Sequence, residues 1–219
     1  MNDSLAESYR WYKEKLARET IESLAKNNIG ACYVDTAEDA CRKVISLIPP
    51  GSKVGYGGSL TLQQLGVMAV LRDGNYDFID RKIPEITEID NHRLRRESLL
   101  ADIFLMSTNA LTLNGQLVNM DGVGNRTAAL IFGPAKVIVI AGINKIVPNV
   151  EAAIERIKNY VAPIHAKRND RRLPCAEQAK CVNCHAPKRF CNSLVITEHQ
   201  YLENKERLMV VIVGEELGL

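Results

Sequence analysis

The sequence predicts an α/β fold: a mostly parallel sheet covered by helices on both faces. Three observations predict it. Strand-like and helix-like patterns alternate along the chain, as expected for strands joined by crossover helices. The run KVIVIAG (136–142) is almost continuously apolar, as a strand buried on both faces must be. The length of 219 residues suits one domain with a substantial core, so 1–219 is read as a single unit.

The elements follow in order. Leu5, Tyr9, Tyr12, Leu16 and Leu24 mark one face of a long first helix, with Asp3 or Ser4 as its cap and Gly30 beyond its end. ACYVD (31–35) is a short strand. Thr36 caps a helix carrying Ala40, Cys41, Val44, Ile45 and Ile48, which Pro49-Pro50-Gly51 stops; Cys41 belongs to the core. KVGYG (53–57) is a strand running into a helix that begins near Ser59, and FID (78–80) is another strand. A charged helix over about 91–101 presents Arg93, Arg95, Arg96 and Glu97 as a solvated face. DIFLMS (102–107) is a strand, and ALTLNGQLVNMD (110–121) alternates around Asn114-Gly115, a hairpin signal. A helix at about 125–132 precedes the strand 136–142, and 149–161 is an amphipathic helix with Val150, Ile154, Ile157 and Val161 inward. SLVIT (193–197) and RLMVVIVG (207–214) close the chain as strands.

Between the last helix and SLVIT lies an irregular stretch, 162–192, too long for an ordinary connection. It holds Cys175, Cys181, Cys184 and Cys191 in the pattern C-x5-C-x2-C-x6-C. Four thiols this close suit a metal centre, which would order a loop lacking its own core. Structural zinc takes two short-spaced pairs, whereas here only Cys181 and Cys184 form one. Iron–sulfur clusters accept more varied spacing. The expected cofactor is a [4Fe–4S] cluster, with zinc as the alternative; His185 is read as solvent-facing. The loop resembles the single-loop cluster site of endonuclease-III-like DNA glycosylases, with the flanking spacings reversed.

The net charge of +2 gives no argument for nucleic-acid or membrane binding, and no apolar run reaches membrane-spanning length. The polar start MNDSLAESYRWYKEK lacks the apolar core of a secretory signal, so a cytoplasmic location is expected. A homodimer is left open.

Open α/β sheets bind ligands at the carboxyl ends of their strands. Three polar turns follow strands and should share one edge: Gly55 to Ser59, Ser107-Thr108-Asn109, and Gly142 to Lys145. Gly57 and Gly58 let a backbone come close, and Ser59 opens a helix whose amides suit a phosphate or carboxylate. In NMDGVGNR (119–126), Asn119, Asp121, Asn125 and Arg126 crowd around Gly122 and Gly124. One sharp turn would use Asp121 and the glycines but has no need of the others. These residues, with Thr108, Asn109 and Lys145, are the candidate pocket for a small anionic metabolite, and Asp121 or Asn125 is the candidate catalytic group. No nucleophile–base pair is recognisable, and GVGNR is neither a Walker loop nor a full dinucleotide fingerprint.

VGYGGSLTLQQLG (54–66), the segment 107–147 from STNALTLNG to GINKIV, and the PCAE…CVNC…CN run are similar to the LUD-domain family, named for lactate utilisation, over nearly the whole chain. The resemblance implies a fold like that of CoA transferases, ribose-5-phosphate isomerase and methenyltetrahydrofolate synthetase. It implies a redox role with a small organic acid, an oxidoreductase component of lactate oxidation, and iron–sulfur partner proteins. Longer relatives join this domain to ferredoxin-type domains, and the tandem C-x2-C-x2-C runs of those domains are not present here. The alternative is a non-redox ligand-binding or acyl-transfer-like protein whose metal only orders the loop.

Overall fold

The computed structural model describes residues 3–219. In chain order the strands are β1 Gly30–Val34, β2 Lys53–Tyr56, β3 Asp77–Phe78, β4 Ile103–Ser107, β5 Ala110–Thr112, β6 Leu117–Asp121, β7 Lys136–Gly142, β8 Ile146–Val147, β9 Ser193–Thr197 and β10 Leu208–Val213. Six form the main sheet, ordered β1-β10-β7-β4-β2-β3. Every pairing in it is parallel. β7 lies in the interior of this sheet, which explains its unbroken apolar run. Its side chains alternate: Ile138 and Ile140 face one side, Val137, Val139 and Ala141 the other.

The helices are α1 Asp3–Lys26, α2 Ala37–Ser46, α3 Leu60–Gln64, α4 Val67–Asp73, α5 Glu88–Glu97, α6 Asn125–Ile131, α7 Val150–Arg156, α8 Ala162–Arg168 and α9 Pro174–Gln178. α2, α3 and α4 cover one face, where Ala40, Val44, Leu62 and Leu71 meet Val54, Leu105 and Val211. α1 and α6 cover the other, where Ala17, Leu24, Ala129 and Leu130 meet Phe104, Met106 and Val210. Thr36 caps α2 by accepting from Asp39 N, as expected. Cys41 packs against the core.

The face predicted for α1 is only half used. Leu16 and Leu24 pack inward against the core, while Leu5, Tyr9 and Tyr12 in the first half of the helix are exposed. Ser4 lies inside α1, and a cap at the Asp3 side chain falls outside the described residues.

The hairpin at Asn114-Gly115 forms, with Gly115 at φ 78. It belongs to a second, four-stranded sheet, β8-β5-β6-β9. SLVIT joins this sheet antiparallel to β6 rather than extending the main one.

The helix predicted to end at 161 runs on to Arg168. Pro163 has no N–H to donate, and its ring would crowd an ordinary turn. A wider turn over Ile157–Val161 absorbs it, with Ala162 N–H bonding Ile157 O five residues back. The irregular segment is therefore 169–192, interrupted by α9. No described helix is long and apolar enough to cross a membrane.

Candidate functional site

β2, β4 and β7 are parallel and end at the same edge, so the turns that follow them meet there. They enclose one cavity of about 570 Å³. Gly58, Ser59, Thr108, Asn109, Asp121, Gly122, Asn125, Arg126 and Lys145 line it. Gly57 and Asn119 stand just behind the wall, each against Arg126, and Gly124 (φ 91) precedes α6. Residues far apart in sequence thus share one cavity.

Lys145 is 3% exposed, placed by the short turn after β7. Its Nζ lies 2.7 Å from Ser107 Oγ, 2.9 Å from Thr61 Oγ1 and 3.3 Å from Thr108 O. None of these partners is a carboxylate. Burial, followed by the charges of Arg156 and Arg126, pulls its pKa down to about 7. An amine and a hydroxyl in contact form a pair invisible in the sequence, which brings the two residues together only through the β4–β7 register.

Arg126 is held on all sides. Its two terminal nitrogens donate to Ser107 O, Asn119 Oδ1, Asn109 Oδ1 and Met120 O at 2.6–2.9 Å. Burial lowers its pKa, and nearby Asp121 opposes that shift. Its charge reaches the cavity, but its terminal N–H groups are committed to the protein. Asp121 Oδ2 likewise accepts from the backbone N–H of Arg126 and Thr127, tying the first turn of α6 to β6. Ser59 Oγ accepts from Leu62 N, so the start of α3 is partly satisfied by its own cap. Asn109 Oδ1 receives both Arg126 and Met120 N, and this orients its Nδ2 as a donor without a protein acceptor among the described residues.

Further lining residues come from places that gave no local signal: Thr61, Arg81, Lys82, Arg95, His165 and Arg168. Arg95, read as part of a solvated face, turns inward, while Arg93 and Arg96 are exposed. Arg81 donates to Tyr56 O and lies over the Tyr56 ring. Its Nε and that of Arg95 are buried without partners among the described residues. Against these cations the wall offers one acidic side chain, Asp121. The cavity is cationic although the chain is nearly neutral.

Cys175, Cys181, Cys184 and Cys191 are half-buried free thiols around a second, smaller cavity. No three His, Cys, Asp or Glu side chains among the described residues are placed to hold a single metal ion. Burial raises the pKa of Cys175 and of Cys191. The loop is tied down by polar contacts. Asn159 Oδ1 accepts from Cys181 N at 2.9 Å, and Arg189 donates to the carbonyls of Cys184 and Cys191. His185 is exposed and lines neither cavity. Phe190 and Cys191 line both cavities. His165 meets the Phe190 ring edge-on at 4.6 Å.

The LUD domain model matches residues 17–213. Among solved structures, a DUF162 family protein from Deinococcus radiodurans is similar at 13% identity over 92% of this chain and 98% of that one, with a TM-score of 0.51. That likeness concerns the fold alone. The eIF2B beta subunit from Chaetomium thermophilum is similar over 53% of this chain and 44% of its own, at 16% identity and a TM-score of 0.36. No curated protein matches the chain.

Proposed function

The chain belongs to the LUD-domain family, and from that premise we propose that it is a redox component of organic-acid oxidation, binding a small organic anion in the cationic cavity beside a [4Fe–4S] cluster held by Cys175, Cys181, Cys184 and Cys191. One observation carries the reading: Phe190 and Cys191 are a wall common to the anion-attracting cavity and the four-thiol cavity. A ligand in the first would lie one residue's thickness from a centre in the second.

The donor set fits the cluster. Four thiols ring one space, Phe190 and Val182 give it an apolar side, and Cys181 Sγ accepts from Asn183 N at 3.4 Å. Four thiols with only one closely spaced pair are a ligand set that iron–sulfur clusters accept, whereas structural zinc usually takes two such pairs. When bound, a cluster supplies a one-electron donor or acceptor at the cavity wall. The protein's own side chains attract and orient the anion: Arg81, Lys82, Arg95 and Arg168 provide the field, and Asn109 Nδ2 provides a directed donor. The location is proposed to be cytoplasmic, and the electron partners to be iron–sulfur proteins.

Anaerobic purification with iron and sulfide analysis tests the cluster. About four irons and four sulfides per chain, with broad visible absorption lost in Cys181→Ser, are expected. A colourless protein with one zinc per chain would refute the redox reading. Calorimetry with lactate and pyruvate tests the cavity: binding weakened at least tenfold in Arg95→Ala is expected. No binding of either acid overturns the organic-anion reading.

A further inference from the structure

We propose that Ser107 and Lys145 form a nucleophile–base pair on the cavity floor, with Thr61 orienting the amine, and that the pair acts on activated acyl groups, esters or thioesters, of anionic compounds. The proposal needs the cavity but not the cluster.

The hydrogen-bond inventory has room for a neutral amine. Such an amine has two N–H donors and one lone pair. Thr108 O can only accept, so it takes one N–H. Thr61 Oγ1 faces Leu217 O as an outlet for its own proton, so it takes the second. Ser107 Oγ stands at 2.7 Å, the closest of the three contacts, and its proton has two acceptors in reach: Thr108 O at 3.3 Å and, when the amine is neutral, the Lys145 lone pair. This is the arrangement of a hydroxyl nucleophile, an adjacent base and a third group that orients the base. No carboxylate bonds the amine, and the guanidiniums of Arg126 and Arg156 nearby disfavour its protonation. All three side chains line the cavity. Gly218 lies over them without a side chain: a Cβ there would stand 2.4 Å from Thr61 Oγ1 and 3.0 Å from Lys145 Nζ. Asn109 Nδ2 is the candidate donor to the oxyanion.

The chemistry balances without an added oxidant. Lys145 takes the Ser107 proton as Oγ attacks the carbonyl carbon. The carbonyl carbon's bond to the leaving sulfur or oxygen breaks, and Lys145 passes its proton to that group. Water then attacks the acyl-Ser107 ester and gives a proton to Lys145, which returns it to Oγ. The net change is hydrolysis of the acyl compound to a free acid and a thiol or alcohol. The cavity suits such a substrate in size: about 570 Å³ falls in the range of drug-sized ligands, well above a three-carbon acid. Its cations suit an anionic acyl or leaving group.

The test uses the whole protein with a fluorophosphonate probe and with nitrophenyl monoesters of acetate and succinate. Expected are one covalent adduct per chain, mapped by mass spectrometry to Ser107, and faster turnover of the succinate ester. Ser107→Ala should abolish the adduct, and Lys145→Met should slow ester turnover on the order of 100-fold or more. An adduct elsewhere, no adduct on folded wild-type protein, or unchanged turnover in Ser107→Ala overturns the proposal. The mapping on wild type decides the matter even where a variant fails to fold. Lactate binding and iron content, measured on the same samples, report separately on the organic-anion and cluster readings.

Discussion

Gly57 lies flat against the stem of Arg126: a Cβ at Gly57 would stand 2.9 Å from Arg126 Cγ. Arg126 cannot swing aside, because both ends of its guanidinium are bonded to the β4 turn and to β6. The turn after β2 is thereby locked to the hairpin wall, and the cavity keeps its shape through this contact.

Gly57→Ala should therefore force a shift at a site that has little freedom to move. A loss of about 1–3 kcal/mol is expected from overpacking. Urea denaturation measures it. Stability equal to wild type would mean that the Arg126 stem yields easily and that the lock does not exist.

Arg126→Met should act chiefly on the fold. It removes the Arg126 donors from Asn119 Oδ1, Ser107 O and Met120 O in a buried setting, and leaves Asn109 Oδ1 with Met120 N alone. The expected cost is at least about 3 kcal/mol. A variant as stable as wild type but unable to bind organic anions would instead make Arg126 a ligand-contacting group.

Much of this architecture could be read from local pattern. The apolar run at β7, the Thr36 cap and the Asn114-Gly115 turn each have a local cause, so each was legible. The pairing of β9 with β6 was not, because the three consecutive apolar residues of SLVIT fit either sheet. The apolar spacing ends the helix at 161 and does not announce the wider turn over Ile157–Val161 that carries it past Pro163. At the site, the residues of the glycine-rich turns could be placed at one edge by topology alone. Arg81, Arg95 and Arg168 could not, since nothing local separates an arginine lining a cavity from one in solvent. The Ser107–Lys145 contact depends on the register of two strands over 30 residues apart, which no spacing rule encodes.

Asn159→Ala should loosen the cysteine loop without disturbing the core. Asn159 Oδ1 accepts the Cys181 N–H from the exposed side of the widened helical turn. Losing one such bond costs about 1 kcal/mol. Limited proteolysis should cut within 169–192 several times faster in the variant, while the urea midpoint of the core changes little. Unchanged cleavage would show that Arg189 and the thiols hold the loop unaided.

Lys145 should make stability depend on pH in a window set by its two pKa values. In the unfolded chain the amine titrates near its ordinary 10.5, and in the fold near about 7. Above the upper value both states are neutral, and burial of the amine costs little. As pH falls through the window, the unfolded chain takes up a proton that the folded one does not, so the fold loses stability. Below about 7 both states carry the proton, and the loss stays constant. The full span corresponds to up to about 5 kcal/mol. In Lys145→Met this component vanishes. The Thr61 and Ser107 hydroxyls keep Leu217 O and Thr108 O as acceptors, so the variant should fold. Urea midpoints compared at steps between about pH 6 and 10 should show the variant gaining on wild type as pH falls towards 7, then running parallel to it. Parallel curves across the whole range would mean that Lys145 is an ordinary ammonium in the fold, and the neutral amine required for the Ser107 pair would be lost with it.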